Sequence, residues 1–414
     1  MPSPLQSPST TDGSTTRRRF LAAAATGVVG ALAGCATGSP PPVSLDRWWR
    51  QYGYDAANTA NNPDARGPTA PVVGWTHQAG AYHRGNQPLA IPEGVVVNTG
   101  YDGVYVLDGG GAVAWHDAED YTGLAPAVPD SLLLPTGYGF RGVSREGGFS
   151  LFGFRTGYEH WRTHATDPES PPTFDGQLAV AGIGVSGHSN GGGRVSAFDV
   201  RSGEHRWSAP VETTVTGAPA VDGGLVFAAD RGGYDESQEP APDRYVYAFD
   251  RENGAEQWRT RITGDPWASV VDAPVVGDGR VHVAAGPGSV YTLDATTGEA
   301  VWHRDLGPVQ ASPALADDRL FVATMDRGLV ALDAATGETV WHRDFEMAFA
   351  GPVVVGDRCY LVGAEGHLAA VERDGTLAWD EQFIGEFTTP PLVDHMTVYV
   401  GSTAGTLHTV GQRA

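Results

Sequence analysis

Eight tryptophans recur along this chain, at Trp75, Trp115, Trp161, Trp207, Trp258, Trp302, Trp341 and Trp379. Their spacings are 40, 46, 46, 51, 44, 39 and 38 residues, close to the ~40–45-residue period of a four-stranded propeller blade. A repeat of this kind restricts the fold more than any single motif. Each unit buries its apolar face only against its neighbours, so the units must stack or close into a ring.

The text around each Trp also recurs. AFDVRSGEHRW ends at Trp207, AFDRENGAEQW at Trp258, TLDATTGEAVW at Trp302 and ALDAATGETVW at Trp341. Weaker copies are VLDGGGAVAW at Trp115, LFGFRTGYEHW at Trp161 and AVERDGTLAW at Trp379. Upstream runs a second phrase, as in ASPALADDRLFVATM (311–325). Pro opens an inner strand, where its missing N–H is tolerated. Asp-Asp or Asp-Gly makes the first hairpin turn. Alternating apolar residues 319–323 form the second strand and 329–332 the third. Asp333 to Gly337 is then a tight turn, its carboxylate accepting backbone N–H bonds and its Gly supplying a positive φ. Glu338 to His342 is the outer strand, ending in the Trp.

The count is uneven at the ends. After Trp379 the chain has only about three strands, residues 388–410, while residues 71–77 form a lone Trp strand with no blade before it. The first strand is therefore expected to complete the last blade. Seven complete units and one shared unit predict an all-β, eight-bladed propeller over residues 71–414, closed so that no blade edge is left over.

The phrase A-x-D-x-x-T-G-x-x-x-W resembles the docking motif of the pyrroloquinoline quinone (PQQ)-type β-propeller superfamily. The resemblance covers residues 71–410, and residues 47–61, RWWRQYGYDAANTAN, look like the lead-in segment of those proteins, placed here at 45–70. It extends to the outer-membrane assembly-factor lipoproteins of the group. The resemblance implies that the eight Trp wedge between neighbouring blades. Each such ring buries about 200 Å² and needs an acceptor for its N–H.

The resemblance also raises quinoprotein catalysis, with PQQ and calcium as cofactors. The chain lacks the adjacent cysteines of the alcohol dehydrogenases in that group, and no calcium ligand set or Asp base can be matched residue by residue. Two Gly-x-Gly-x-x-Gly matches, Gly137 to Gly142 and Gly182 to Gly187, precede strands or loops rather than a helix and are read as turns. His116, His303 and His342 follow the repeat and belong on outer strands. No metal spacing appears. The sequence therefore names no catalytic, cofactor-binding or metal residue. Sites of function are expected where the repeats disagree, in the loops at 187–194 and 230–244.

The N-terminus reads as an address. Residues 15–35, TTRRRFLAAAATGVVGALAGC, combine a basic region with a short run of small apolar residues, the pattern of a secretory signal. Arg17 and Arg18 resemble a twin-arginine export signal, and Leu32 to Cys35 a lipobox. Removal of residues 1–34 would leave Cys35 lipidated and 35–44 as a flexible tether. The 27 basic residues are all Arg, and the formal charge is −22. That disfavours nucleic acid as a partner and resembles a halophilic archaeal proteome, soluble where the Debye length is ~3 Å or less.

These readings make the chain a non-enzymatic, lipid-anchored scaffold on the outer face of the cytoplasmic membrane, binding a protein or small ligand on one propeller face. The alternatives are a PQQ-dependent alcohol or sugar dehydrogenase and a structural cell-surface module.

Overall fold

The computed structural model describes residues 49–78, 87–99, 102–119, 127–128, 130–151, 154–155, 157–163, 168–184, 192–231, 244–262, 273–285, 288–309, 311–345, 350–383, 385–387 and 389–413. Arg17, Arg18, Cys35 and the tether lie outside these residues, as do positions 187–191 and 232–243 of the two singled-out loops. Among the described residues no helix is long and apolar enough to cross a membrane.

The structure is all-β, with eight blades. Blade 6 shows the pattern. Ala314–Ala316, Arg319–Thr324, Gly328–Asp333 and Thr339–Arg343 pair antiparallel in chain order. The strands are short because turn residues interrupt them. Asp278 and Gly279, at the first hairpin of blade 5, both take positive φ (49° and 70°), the conformation of a tight two-residue hairpin. Asp199, Asp250, Asp294 and Asp333 each accept, through Oδ1, the N–H groups two and three residues on, at 2.9–3.1 Å. Those bonds favour the ionised form: the Asp294 and Asp333 carboxyls lie below the usual range. Asp199 falls to about 2, chiefly through Arg206.

Pro71–Gln78 pairs antiparallel with Thr406–Gln412 and supplies the outer strand of blade 8. The first strand of the ring thus completes its last blade. Blade 2 departs from the repeat. Its sheet has three strands, Ser131–Thr136, Gly139–Ser144 and Glu159–Arg162, with an isolated bridge from Ala127 to Leu132 in place of an inner strand. The phrase LFGFRTG does not form the third-strand corner expected of it. The third strand already ends at Ser144, and Ser150–Leu151 pairs with Phe154–Arg155 in a separate small hairpin. No Asp stands in that phrase to build the tight turn.

The core lies between blades and around the ring axis. Inner and middle strands are almost wholly buried, as in Val353–Val355 and Arg319–Thr324. Outer strands alternate, with Val301 and Val340 exposed beside their Trp. Cys359 is a free thiol buried in blade 7, and burial raises its pKa.

Candidate functional site

The inner strands of a propeller converge on an axial channel and present one unpaired edge to it. Buried N–H groups there need acceptors. In this chain the lead-in segment supplies them, one blade at a time. Trp49 O accepts from Ala90 N in blade 1 at 2.9 Å, and Arg50 O from Ala127 N in blade 2 at 2.6 Å. Gln51 Oε1 accepts from Phe174 N in blade 3 at 2.8 Å. Ala56 O serves Val221 N in blade 4 (2.6 Å), Ala57 O serves Val276 N in blade 5 (2.9 Å), Thr59 O serves Leu315 N in blade 6 (2.8 Å) and Ala60 O serves Val354 N in blade 7 (2.8 Å). The chain then leaves past blade 8, where Arg66 O accepts from Met396 N at 2.8 Å.

Local sequence explains this path. Gly53, Tyr54, Asn58 and Ala60 all take left-handed φ, at 65°, 73°, 56° and 52°. Four such residues within eight wind the segment tightly. The small side chains of Ala56, Ala57 and Ala60 let its backbone approach the strands. Asp55 fastens the coil, accepting from Thr59 N at 3.0 Å and Thr59 Oγ1 at 2.6 Å. Burial raises the Asp55 pKa against the lowering effect of those bonds. Asn58 Nδ2 reaches three carbonyls of blades 4 and 5, Ala218 O, Pro219 O and Pro274 O, at 2.9, 3.1 and 3.2 Å.

Beside Asn58 a cavity of about 10 Å³ remains, lined by Tyr52, Gln87, Ser312, Val353 and Pro390 among others. That is room for one water molecule. Among the described residues no group of three or more His, Cys, Asp or Glu could hold a metal ion.

The tryptophans occupy a second level, at the outer strands. Trp75 Nε1 donates to Gly109 O (3.1 Å), Trp115 to Arg145 O (2.7 Å), Trp207 to Arg251 O (2.8 Å) and Trp258 to Ala295 O (3.0 Å). Trp302 donates to Ala334 O (3.1 Å), Trp341 to Arg373 O (2.8 Å) and Trp379 to Pro68 O (2.8 Å). The first six acceptors sit in the next blade, and Pro68 immediately precedes the strand that completes blade 8. The turn glycine of the receiving blade lies flat on the ring: a Cβ at Gly203, Gly254, Gly298 or Gly337 would come 2.4–2.6 Å from Trp161, Trp207, Trp258 or Trp302.

His116 stacks on Tyr105 with centroids 4.1 Å apart and His303 on Tyr291 at 5.3 Å, each on its own blade, while His342 is exposed. Gly137 belongs to the blade 2 hairpin turn and Gly142 to the strand after it, while Gly182 lies in a blade 3 strand with no room for a Cβ beside Val215 O.

The described ends of the two disagreeing loops are structured. Both loops join second to third strands, so both leave from the same face of the ring. Asp230 is fully buried and accepts from Tyr247 Oη and Tyr245 N, each at 2.8 Å. Burial lifts its carboxyl to about 6. Tyr247 Oη also accepts from Glu212 N at 3.0 Å, which ties the loop base to the preceding connection. Arg141 is nearly buried between blades 1 and 2, bridging Glu119 and Glu159 at 2.6 Å each and Asp117 at 3.4 Å.

The sequence identifies residues 45–70 as a lead-in segment but does not mark it as a component of the site. Its signals were present in the D-x-x-N-T element and the run of small residues, but neither declares a contact with seven blades.

A closed ring with Trp-docked blades and a hub filled by its own chain defines a PQQ-like β-propeller. The sequence profile of the family described as outer membrane protein assembly factor BamB matches residues 145–239, 242–348 and 345–413, and the chain belongs to that family. The BamB of Bordetella pertussis is 32% identical over 110 residues, which cover 27% of this chain and 24% of that protein. The matched stretch thus spans about a quarter of that relative's length. The crystal structure of BamB from Moraxella catarrhalis superposes with a TM-score of 0.61 at 19% identity, covering 83% of this chain and 98% of that one. A quinohemoprotein alcohol dehydrogenase from Comamonas testosteroni superposes with a TM-score of 0.70 at 14% identity, covering 90% and 82%. At such identities these likenesses establish the fold alone.

Proposed function

We propose that this chain is a non-catalytic scaffold, exported and held at the membrane by a lipid on Cys35, that binds a protein partner on one face of the ring. The observation that carries this reading is the occupied hub. An axial channel is where a propeller of this class would accommodate a cofactor, and here residues 49–62 fill it, bonded to six blades through backbone carbonyls and to blade 3 through the Gln51 side chain. Binding is left to the faces, where loops on a rigid ring are suited to it. The family description and the Bordetella relative, both named for assembly at an outer membrane, support a role in the assembly of membrane-associated proteins. The outer membrane itself is not carried over, because an Arg-only, strongly acidic chain suits a high-salt host whose exported proteins face the medium directly.

The test has two arms. Capture of the full chain from solubilised membranes should recover a reproducible protein partner, and recovery of none would favour the structural-module reading. Cys35→Ser should release the protein to the medium; continued membrane retention would refute the lipid anchor.

A further inference from the structure

Three side-chain amides of the axial segment share a peculiarity. Each has one end fixed by a bond that the backbone requires and the other end buried without a protein partner. Gln51 Oε1 is held by Phe174 N and its Nε2 is unmet. Asn62 Oδ1 accepts from Asp64 N and Ala65 N, at 3.2 and 3.1 Å, and its Nδ2 is unmet. Asn58 Nδ2 serves three carbonyls and its Oδ1 is unmet. Rotating any of these amides would not help. A rotated Gln51 or Asn62 would turn an NH2 toward backbone N–H donors, and a rotated Asn58 would turn an oxygen toward three carbonyls. All three residues are at most 1% exposed, and buried polar groups of this kind are normally paired with protein or ordered water.

Only Asn58 among them lines the axial cavity. Its Nδ2 points to blades 4 and 5, whereas Ser312, Val353 and Pro390 bring the cavity walls from blades 6, 7 and 8. Asn58 lines the cavity, and Oδ1 is the end of its amide left without a protein partner. Tyr52 and Ser312 line the same cavity, Tyr52 Oη donating to Ser312 Oγ at 3.3 Å and Ser312 Oγ donating to Ala273 O at 3.1 Å.

We infer that the axial cavity is a binding site for a single ordered water molecule that donates to Asn58 Oδ1. The site takes a small neutral donor. It accounts for the buried Asn58 Oδ1, which no rotation of the amide satisfies.

The test is Val353→Ile in the full chain. The added methyl enters the cavity from the blade 7 inner strand, where Val353 is 1% exposed. Long-lived internal waters are counted by oxygen-17 relaxation dispersion. The count should fall by one in the variant and the melting temperature should drop, because Asn58 Oδ1 loses its donor. An unchanged count, with a melting temperature that rises as a dry void is filled, would overturn the inference. A crystal structure of the unsubstituted chain gives an independent readout. Density at ~2.7–3.1 Å from Asn58 Oδ1 supports the water. A peak with six or more oxygen neighbours at ~2.3–2.6 Å would mark a cation instead and overturn it.

Discussion

Asn58→Ala tests the hub directly. The wild-type amide carries two hydrogens to three buried carbonyls of blades 4 and 5. Losing those bonds costs about 1–1.5 kcal/mol for each hydrogen, roughly 2–3 kcal/mol in all. Asn58 also sits at φ 56°, where Ala is strained by about 1 kcal/mol more. The expected destabilisation is therefore about 3–4 kcal/mol. Asn58→Gly loses the same bonds without the backbone strain and should cost about 1 kcal/mol less. Urea unfolding followed by tryptophan fluorescence measures both, at constant slope. Amide exchange supplies the local readout. Val221 N and Val276 N, bonded to Ala56 O and Ala57 O, should lose protection in either variant before residues of the outer strands do. An Asn58→Ala protein within ~0.5 kcal/mol of wild type, the scatter of ordinary surface substitutions, would refute the claim that the axial segment is bonded into the ring.

Other perturbations follow from the same geometry. Gly337→Ala combines φ 70° with a Cβ 2.6 Å from the Trp302 ring and should destabilise by about 2–4 kcal/mol, read from the urea midpoint. Trp302→Phe keeps a ring in the gap but removes the bond to Ala334 O; a loss of about 1–2 kcal/mol is expected, against about 3–5 kcal/mol for Trp302→Ala. Asp230 gives the pH test. Its folded pKa, about 6, lies above the ordinary 3.8 because of burial. Its contribution to stability is therefore complete below about pH 4 and is lost as pH rises through 6. Asp230→Asn cannot ionise, so its stability relative to wild type should improve by about 3 kcal/mol between pH 4 and pH 7. A difference independent of pH would contradict the buried carboxylate.

Much of the ring was legible because its determinants are local and repeated. The Asp-x-x-Thr-Gly turn of residues 333–337 needs an acceptor and a positive φ at fixed positions, and both are visible in the letters. The unpaired Trp75 strand at one end and the three-strand remainder at the other disclosed how the ring closes. Blade 2 was misjudged because LFGFRTG keeps a Gly and an aromatic pattern without the Asp that forms the corner, and a hairpin formed there instead. The hub was not legible. Ala56, Ala57 and Thr59 act through backbone carbonyls, and a carbonyl has no letter. Asn58 looked like any turn residue, and only the closed ring brings Ala218, Pro219 and Pro274 to its amide. The buried state of Asp230 was hidden for the same reason, since Tyr247 reaches it from the next strand and Glu212 joins only through the Tyr247 hydroxyl.

The central claim is that the chain occupies its own axis and works as a scaffold. The most direct measurement is an equilibrium titration of the full chain with PQQ in the presence of calcium, followed by quinone absorbance and by dye reduction with alcohols and sugars. The account predicts no saturable binding and no turnover. Stoichiometric binding with substrate-dependent dye reduction would contradict it.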